Sequence, residues 1–150
     1  MTDKTTFTDE EWAAITEAPL LISMALALVG PHGPISMVKE STALAKAIAA
    51  PPDHGAANVL IAEIAEDAKG KQARHDAKHH KAATVPATVD LLLEDVALAA
   101  PALAKASPDE AAGVRSWYLD IANAVAAASK GVSVEEQVVV DRITAIFAAG

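Results

Sequence analysis

The stretch VRSWYLDIANAVAAASKGVSVEEQVVVDRITAIFAA, residues 114–149, decides the fold class of this chain. Its first half carries apolar residues at the three- and four-residue spacing of one helix face. Those residues are Val114, Trp117, Tyr118, Ile121, Val125 and Ala128. Gly131 favours the left-handed conformation that ends a helix. Ser133 with Glu136 three residues later forms a capping box that starts the next helix. The stretch therefore predicts two antiparallel helices joined by a short turn.

The residues near the start of the chain predict two further helices. Thr8 and Glu11 form another capping box, so a helix begins directly after Thr8. Proline in a helix interior costs about 3 kcal/mol, and Pro19 therefore predicts a break near Glu17. Residues 18–29 are apolar nearly all round, which is typical of a helix that other helices surround.

Prolines, glycines and capping residues divide the middle of the chain. The sequence GPHGP, residues 30–34, predicts a stiff turn, after which Ser36 caps a third helix. Pro51 and Pro52 end that helix, and Asp53 caps a fourth. These residues divide the middle of the chain into helices of ordinary length.

A fifth helix is predicted after Pro86, and a capped start precedes the final hairpin. Ser107 is the N-cap there, Pro108 occupies the first turn, and Glu110 is the acid of a capping box. Period-two alternation and Asn-Gly or Asp-Gly turns are absent from the sequence. The expected fold is all-α, a single domain over residues 1–150 built as a compact bundle of about seven helices. The 36 alanines predict close helix packing.

Composition and charge limit the classes to which the protein can belong. Hydrophobic residues make up 52% of the chain, which is too many for a disordered protein. The net charge of −8 argues against nucleic-acid binding, because phosphate contacts need a basic surface. Cysteine is absent, which excludes disulfides, thiolate metal sites and cysteine nucleophiles.

No membrane span is expected from the hydropathy pattern. The longest apolar run, residues 19–29, is shorter than the ~20 residues that cross a bilayer. The first residues include acids and lack the apolar region of a secretory signal. We therefore expect a cytoplasmic protein.

Two parts of the chain, residues 29–48 and 127–146, share one pattern. Each has an apolar helix, a glycine turn, an aliphatic residue followed by serine, and an acid early in the next helix, Glu40 or Glu136. We favour the interpretation that any well-capped helical hairpin shows these features. The alternative is an internal duplication of one helical hairpin.

The turn GVSVEE and the following VVVDRITAIFAAG resemble the tellurite-resistance TerB-like proteins. The resemblance covers about a third of the chain, chiefly residues 129–149 and more weakly residues 30–48. It implies a compact, all-helical, pseudo-duplicated domain. In that family the domain is associated with metal or stress responses and often with membrane-linked complexes.

The turns of this chain depart from the pattern of that family. The family usually has an aspartate before the glycine, whereas this chain has Lys130 in the second hairpin and His32 or Pro31 in the first. The residues onto which the resemblance would carry a metal site are Glu40, Glu135 and Glu136.

The segment RHDAKHHK, residues 74–81, holds a candidate metal site. In a helix His75 and His79 lie one turn apart, and Asp76 and His80 lie one turn apart on the neighbouring face. Imidazoles at this spacing bind zinc, copper or nickel. The segment has no apolar side chain larger than alanine, so it is either a solvated helical extension or a loop.

Residues 67–81, which include this segment, are the basic part of an acidic chain, and they predict docking of an anionic partner. The docking candidates are Lys71, Arg74, Lys78 and Lys81. The neighbouring histidines gain charge near about pH 6, and this would strengthen contact with an anion. The alternative is a solvated segment with no specific role.

Helix carboxylates offer another candidate metal site. Glu63, Glu66 and Asp67 recur at one-turn spacing, and Asp120 or Glu94 would complete the set inside a bundle. The Glu-x-x-His motif of ferritin-like bundles is absent from the sequence.

No catalytic motif is recognisable, and we assign no catalytic residue. We expect a non-enzymatic interaction or scaffold protein, stress-associated, with a protein partner and a homodimer formed through an alanine-rich face. The alternative is a metal- or small-ligand-binding protein that uses residues 75–80 or helix carboxylates. A third possibility is an enzyme with an unrecognised pocket. We predict no cofactor, and a divalent metal is the ligand of the alternative.

Overall fold

The computed structural model describes residues 2–30, 34–72, 83–128 and 133–148, and it describes their side chains except in residues 34–38 and 70–72. These ranges contain seven α-helices, two short 3-10 helices and no strand. The α-helices are α1 (Asp9–Val29), α2 (Pro34–Ala49), α3 (Asn58–Gln72), α4 (Val85–Ala97), α5 (Ala99–Leu103), α6 (Pro108–Ala127) and α7 (Val134–Ala148). The 3-10 helices are Lys4–Thr6 and Gly55–Ala57. The predicted all-α fold is confirmed.

Two of the α-helices begin at complete capping boxes. At α1 the Thr8 hydroxyl accepts the Glu11 N–H, and the Glu11 carboxylate accepts the Thr8 N–H. At α7 Ser133 and Glu136 make the same reciprocal pair. Each box satisfies backbone donors that a helix start leaves without partners.

Helix α6 is capped in a different way. The Ser107 hydroxyl accepts the Glu110 N–H, as expected. The Glu110 carboxylate, however, accepts the N–H of Thr2 at 3.1 Å and so fixes the start of the chain against α6.

Helix α1 lies at the centre of the bundle and contacts each of the six other α-helices. Its fully buried side chains are Ile15, Ala18, Ile22, Ala25 and Leu26. Among the described helices, α1 is long and apolar enough to cross a membrane, but 56% of its most apolar window is buried in the bundle. Both core helices and signal sequences meet that criterion of length and composition.

The break predicted near Glu17 is wrong, because α1 continues through Pro19. Proline has no N–H, so the carbonyl of Ile15, four residues earlier, loses its helical hydrogen bond. The buried hydroxyl of Tyr118 in α6 donates to that carbonyl at 2.6 Å. A tertiary hydrogen bond thus replaces the missing helical one, and a single 21-residue helix forms.

The predicted start of the next helix is also wrong, since α2 begins at Pro34 and not after Ser36. A proline in the first turn needs no hydrogen-bond partner for its nitrogen, and its fixed φ suits a helix start. At the other end, Pro51 cannot donate to the carbonyl of Ala47. The indole N–H of Trp117 donates to that carbonyl at 3.2 Å.

The predicted core faces are buried in the structure. On α3 they are Leu60, Ile61, Ile64, Ala65 and Ala68, and on α4 they are Val89, Leu92, Leu93 and Val96. On α6 they are Val114, Trp117, Tyr118, Ile121 and Val125, whereas Ala128 is half-buried. The Tyr118 ring also contacts Phe147 of α7, with 5.1 Å between ring centroids. One core therefore runs through the described helices.

Candidate functional site: a groove between two helices

Two adjacent pockets open to solvent lie between α4 and α7 and share Asp90 and Arg142; together they are called the groove. One pocket is lined by residues 85–90 of α4 and 135–142 of α7, and the other by residues 90–97 and 142–146, so the two helices run in the same direction. The segment from Val85 to Ala97 is about 18 Å long. The groove therefore has room for about three turns of a helix.

The groove has an apolar half and a polar half. The apolar half encloses about 230 Å³, and its aliphatic lining is Val29, Val85, Pro86, Val89, Val138 and Val139. The other half, called the polar half because the carboxylate of Glu94 lines it, encloses about 600 Å³ and is otherwise lined by Leu93, Ala97, Ala145 and Ile146. Asp90 and Arg142 line both halves, and the 2.9 Å ion pair between them joins the two helices where the halves meet.

Two valines that line the apolar half are largely exposed, since Val138 on α7 is 53% exposed and Val85 on α4 is 45% exposed. Val134, one turn before Val138 on α7, is 78% exposed and lies outside that lining. Burial of apolar surface stabilises an interface by roughly 25 cal/mol per Å². Exposed apolar patches rimmed by polar groups mark interaction sites.

The charges along the groove are mainly negative. Glu94 and Glu135 are exposed, and neither forms an ion pair with another described residue. The positive charge of Arg142 is matched by Asp90. The groove therefore presents two unmatched carboxylates, one beside each half.

A buried acid lies where α1 meets α7. Glu136 is fully buried, and its Oε1 accepts the Ser133 N–H. Its Oε2 is buried and accepts no hydrogen bond from the residues that the structure describes, and it lies so close to Gly30 that a Cβ there would be 3.1 Å away. Glu40, the corresponding acid of the first hairpin, is buried as well. The two acids to which the hairpin comparison pointed are therefore both core residues.

The imidazole of His54 lies on α6 with both nitrogens engaged. Nδ1 is 2.7 Å from the Pro52 carbonyl oxygen, and Nε2 is 2.9 Å from Asp120 Oδ2. The two contacts hold the loop before the Gly55–Ala57 3-10 helix against α6.

Most of the predicted basic and histidine site lies outside the described residues. This holds for the metal candidates His75, Asp76, His79 and His80, and for Arg74, Lys78 and Lys81. Helix α3 extends through Lys71, but the side chain of that residue is not described. Of the hairpin turns, His32 and Lys130 also lie outside.

The carboxylates predicted to assemble in the bundle have other contacts. Asp67 accepts the indole N–H of Trp12 at 2.7 Å and pairs with Lys4. Glu63 accepts the N–H of Lys4. Within the described ranges no three His, Asp or Glu side chains are placed to hold a metal ion.

Sequence reasoning missed the groove, although part of its signal was visible. Val134 and Val138 have helical i, i+4 spacing on the face of α7 that opposes Val139 and Val140. That outward stripe predicts an exposed apolar surface. Its pairing with α4 depends on the packing of two helices that are distant in sequence.

Comparisons with protein-family models, with curated proteins and with solved structures found no match to this chain.

Proposed function

We propose that this protein is a non-enzymatic interaction protein that binds a helical segment of another protein in the groove between α4 and α7. The observation that carries the proposal is the exposure of Val134, Val138 and Val85 beside an apolar groove. The floor of the groove is already apolar, since Val89 and Val139 line it. An apolar side chain of the partner would therefore displace water both from this floor and from the exposed valines.

The dimensions of the groove favour a helix as the bound element. An amphipathic helix places apolar side chains at i, i+3, i+4 and i+7 along one groove. Three turns of helix fit the roughly 18 Å length. An extended strand would need an open sheet edge, and the described ranges contain no strand.

A crosslinking experiment tests the proposal. A photo-crosslinking amino acid placed at Val138 should capture a partner in cells, and the same amino acid at Val59 should not. The two positions form a matched pair, because they are helical valines with 53% and 55% exposure and only Val138 lines the groove. The captured protein is then purified and titrated against the wild type and the variants V138D and V59D.

We expect V138D to weaken that binding by at least about tenfold and V59D to leave it unchanged. Both side chains are exposed, so each variant should keep its stability within about 0.5 kcal/mol. Binding that survives V138D, or capture at Val59 with equal yield, would contradict the proposal.

Glu136 favours cation binding as a second function. A buried carboxylate oxygen without a hydrogen-bond partner is costly unless it meets a donor or a cation. Of the residues to which the TerB-like resemblance would assign a metal, Glu136 has an oxygen that fits, whereas Glu135 is exposed. Carboxylates suit hard cations such as magnesium, manganese and calcium.

Thermal denaturation with and without each of these ions tests the second function. A ligand present at about one hundred times its Kd adds about 2.7 kcal/mol, which raises Tm by several degrees. The rise should disappear in E136Q and persist in E135Q, which makes the same charge change on an exposed neighbour. An equal rise in all three proteins, or none in the wild type, would remove this function from consideration.

A cytoplasmic location, a stress-associated role, the TerB-like relationship and a homodimer are further proposals, and they rest on the sequence features described above. Docking of an anionic partner by Lys71, Arg74, Lys78 and Lys81 likewise remains a prediction from the sequence.

A further inference from the structure

We infer that the helix bound in the α4–α7 groove is basic as well as amphipathic, with an aliphatic anchor in the apolar half and a lysine or arginine near Glu94. This inference rests on the proposed function and specifies the chemistry of the partner. It depends on the order of apolar and charged residues along the groove.

The apolar end selects the anchor of the partner. Val85 and Val138 stand on opposite sides of the apolar half, and Val89 and Val139 lie between them as buried floor residues. This half encloses about 230 Å³ and offers no uncharged polar side chain as a hydrogen-bond partner. It therefore favours an aliphatic side chain such as leucine over a polar one.

The charged side chains of the groove determine which charge the partner helix should carry. Glu94 in the polar half and Glu135 at the apolar end have no ion-pair partner among the described residues. Asp90 and Arg142 neutralise each other at 2.9 Å. An acidic helix would meet these carboxylates with like charge, whereas a basic one would gain an opposite charge beside each half.

The spacing follows from the rise of a helix. Pro86 and Glu94 are eight residues apart on α4, which corresponds to about 12 Å along the axis. A partner helix lying along the groove would therefore carry its cationic residue about two turns from its aliphatic anchor. We expect the same spacing, about two turns between an aliphatic and a cationic residue, in peptides that bind the groove.

A peptide library tests the inference. Fourteen-residue helix-forming peptides, randomised on one face, are selected for binding to the full chain and sequenced. We expect enrichment of leucine, isoleucine or methionine at one pair of positions and of lysine or arginine about two turns away. Titrations of the selected peptides then use the wild type, V138D, the double variant E94Q/E135Q and the control E10Q/D109N, whose carboxylates do not line the groove.

The double variant should weaken binding about three- to tenfold at low salt, since each exposed ion pair contributes modestly. The control should have no effect, and about 0.5 M salt should reduce the difference between them. Selection of acidic peptides, or equal affinity for the wild type and E94Q/E135Q, would overturn the inference. If V138D still abolished binding in that case, helix binding in the groove would hold, and only the basic character of the bound helix would be wrong.

Two further results would defeat both proposals. One is selected peptides that bind V138D as well as the wild type. The other is a wild-type dimer that V138D converts to a monomer, because the groove would then be an interface between copies of this chain. Sedimentation of both proteins at several concentrations distinguishes that case.

Discussion

The Tyr118 hydroxyl donates a hydrogen bond to the Ile15 carbonyl, which is the carbonyl that Pro19 leaves without a helical partner. The preceding residue on α6, Trp117, likewise supplies a donor to a carbonyl of α2. Trp117 donates to the Ala47 carbonyl, four residues before Pro51. Two adjacent aromatic side chains thus supply the donors that two prolines lack, and they fix α6 to both α1 and α2.

Removing the hydroxyl of Tyr118 should destabilise the protein because it leaves a buried carbonyl without a donor. We expect Y118F to lower the free energy of unfolding by about 1–3 kcal/mol. Urea denaturation of the wild type and Y118F measures this difference in the free energy of unfolding. The same burial raises the pKa of Tyr118 well above its usual value, so the hydroxyl remains a donor in the folded protein.

A double-mutant cycle with P19A tests whether the hydroxyl compensates for the proline. Alanine at position 19 restores the N–H that bonds the Ile15 carbonyl within α1. Y118F should therefore cost less in the P19A background, with a coupling energy of about 0.5–2 kcal/mol. Equal costs in the two backgrounds would show that the bond has no relation to Pro19.

Gly113 should not tolerate a side chain, because α6 packs closely on the Gly55–Ala57 turn at this point. A Cβ at Gly113 would overlap the Ala57 Cβ and approach the His54 carbonyl oxygen to 3.2 Å. Alanine improves helix propensity by up to about 1 kcal/mol, but overpacking costs typically about 1–3 kcal/mol. We expect G113A to lower Tm.

The second substitution A57G provides the control for that prediction. It removes the carbon that the new Cβ overlaps, so G113A should be less harmful in the A57G background than in the wild type. A stabilised G113A single variant would mean that the turn can move away at little cost.

The contact between His54 and Asp120 should contribute to stability through a charge-assisted hydrogen bond. The His54 side chain is 9% exposed and Asp120 is 46% exposed, so solvent screens part of the interaction. We expect D120A to cost about 1 kcal/mol in urea denaturation. D120N should cost less, because its amide oxygen still accepts from Nε2.

Asn123 on the same helix supplies the control, since its exposed side chain bonds only the Leu119 carbonyl within α6. N123A should stay within about 0.5 kcal/mol of the wild type. A loss of stability in N123A as large as that in D120A would contradict the role assigned to the contact between His54 and Asp120.

Acidification should remove the stability that Glu11 contributes. The Lys105 ammonium at 2.6 Å and the Thr8 N–H hold the pKa of Glu11 below its usual value of 4.5. A carboxyl group with a lowered folded-state pKa stabilises the protein above the unfolded-state pKa and loses that contribution as pH falls through the folded-state value. The Tm of the wild type should therefore exceed that of E11Q at neutral pH, and the excess should shrink below pH 4.5.

Glu10 provides the matched control for this substitution, because it is an exposed acid in the first turn of the same helix, and the contacts with Lys105 and the Thr8 N–H belong to Glu11. At neutral pH the E10Q substitution should lower Tm less than the E11Q substitution does. A Tm excess over E11Q that persists unchanged at about pH 3 would contradict the assigned role of Lys105.

Local sequence patterns predicted much of the fold because caps and apolar spacing act within one or two turns of a helix. Thr8, Ser107 and Ser133 each begin a helix as expected, and the predicted faces of α3, α4 and α6 are buried. The pattern at Pro19 predicted the wrong outcome. The compensating donor, Tyr118, is 103 residues from the carbonyl that it satisfies.

The candidate site depended still more on tertiary structure. The sequence by itself determined that Val134 and Val138 face outward, since their spacing opposes the buried face of α7. It likewise placed Glu136 in a cap, because a capping box is a local motif. Only the tertiary structure decided that α4 lies beside α7 and that Glu136 Oε2 is buried next to Gly30. These relationships follow from how distant helices pack, and local spacing and capping do not specify that arrangement.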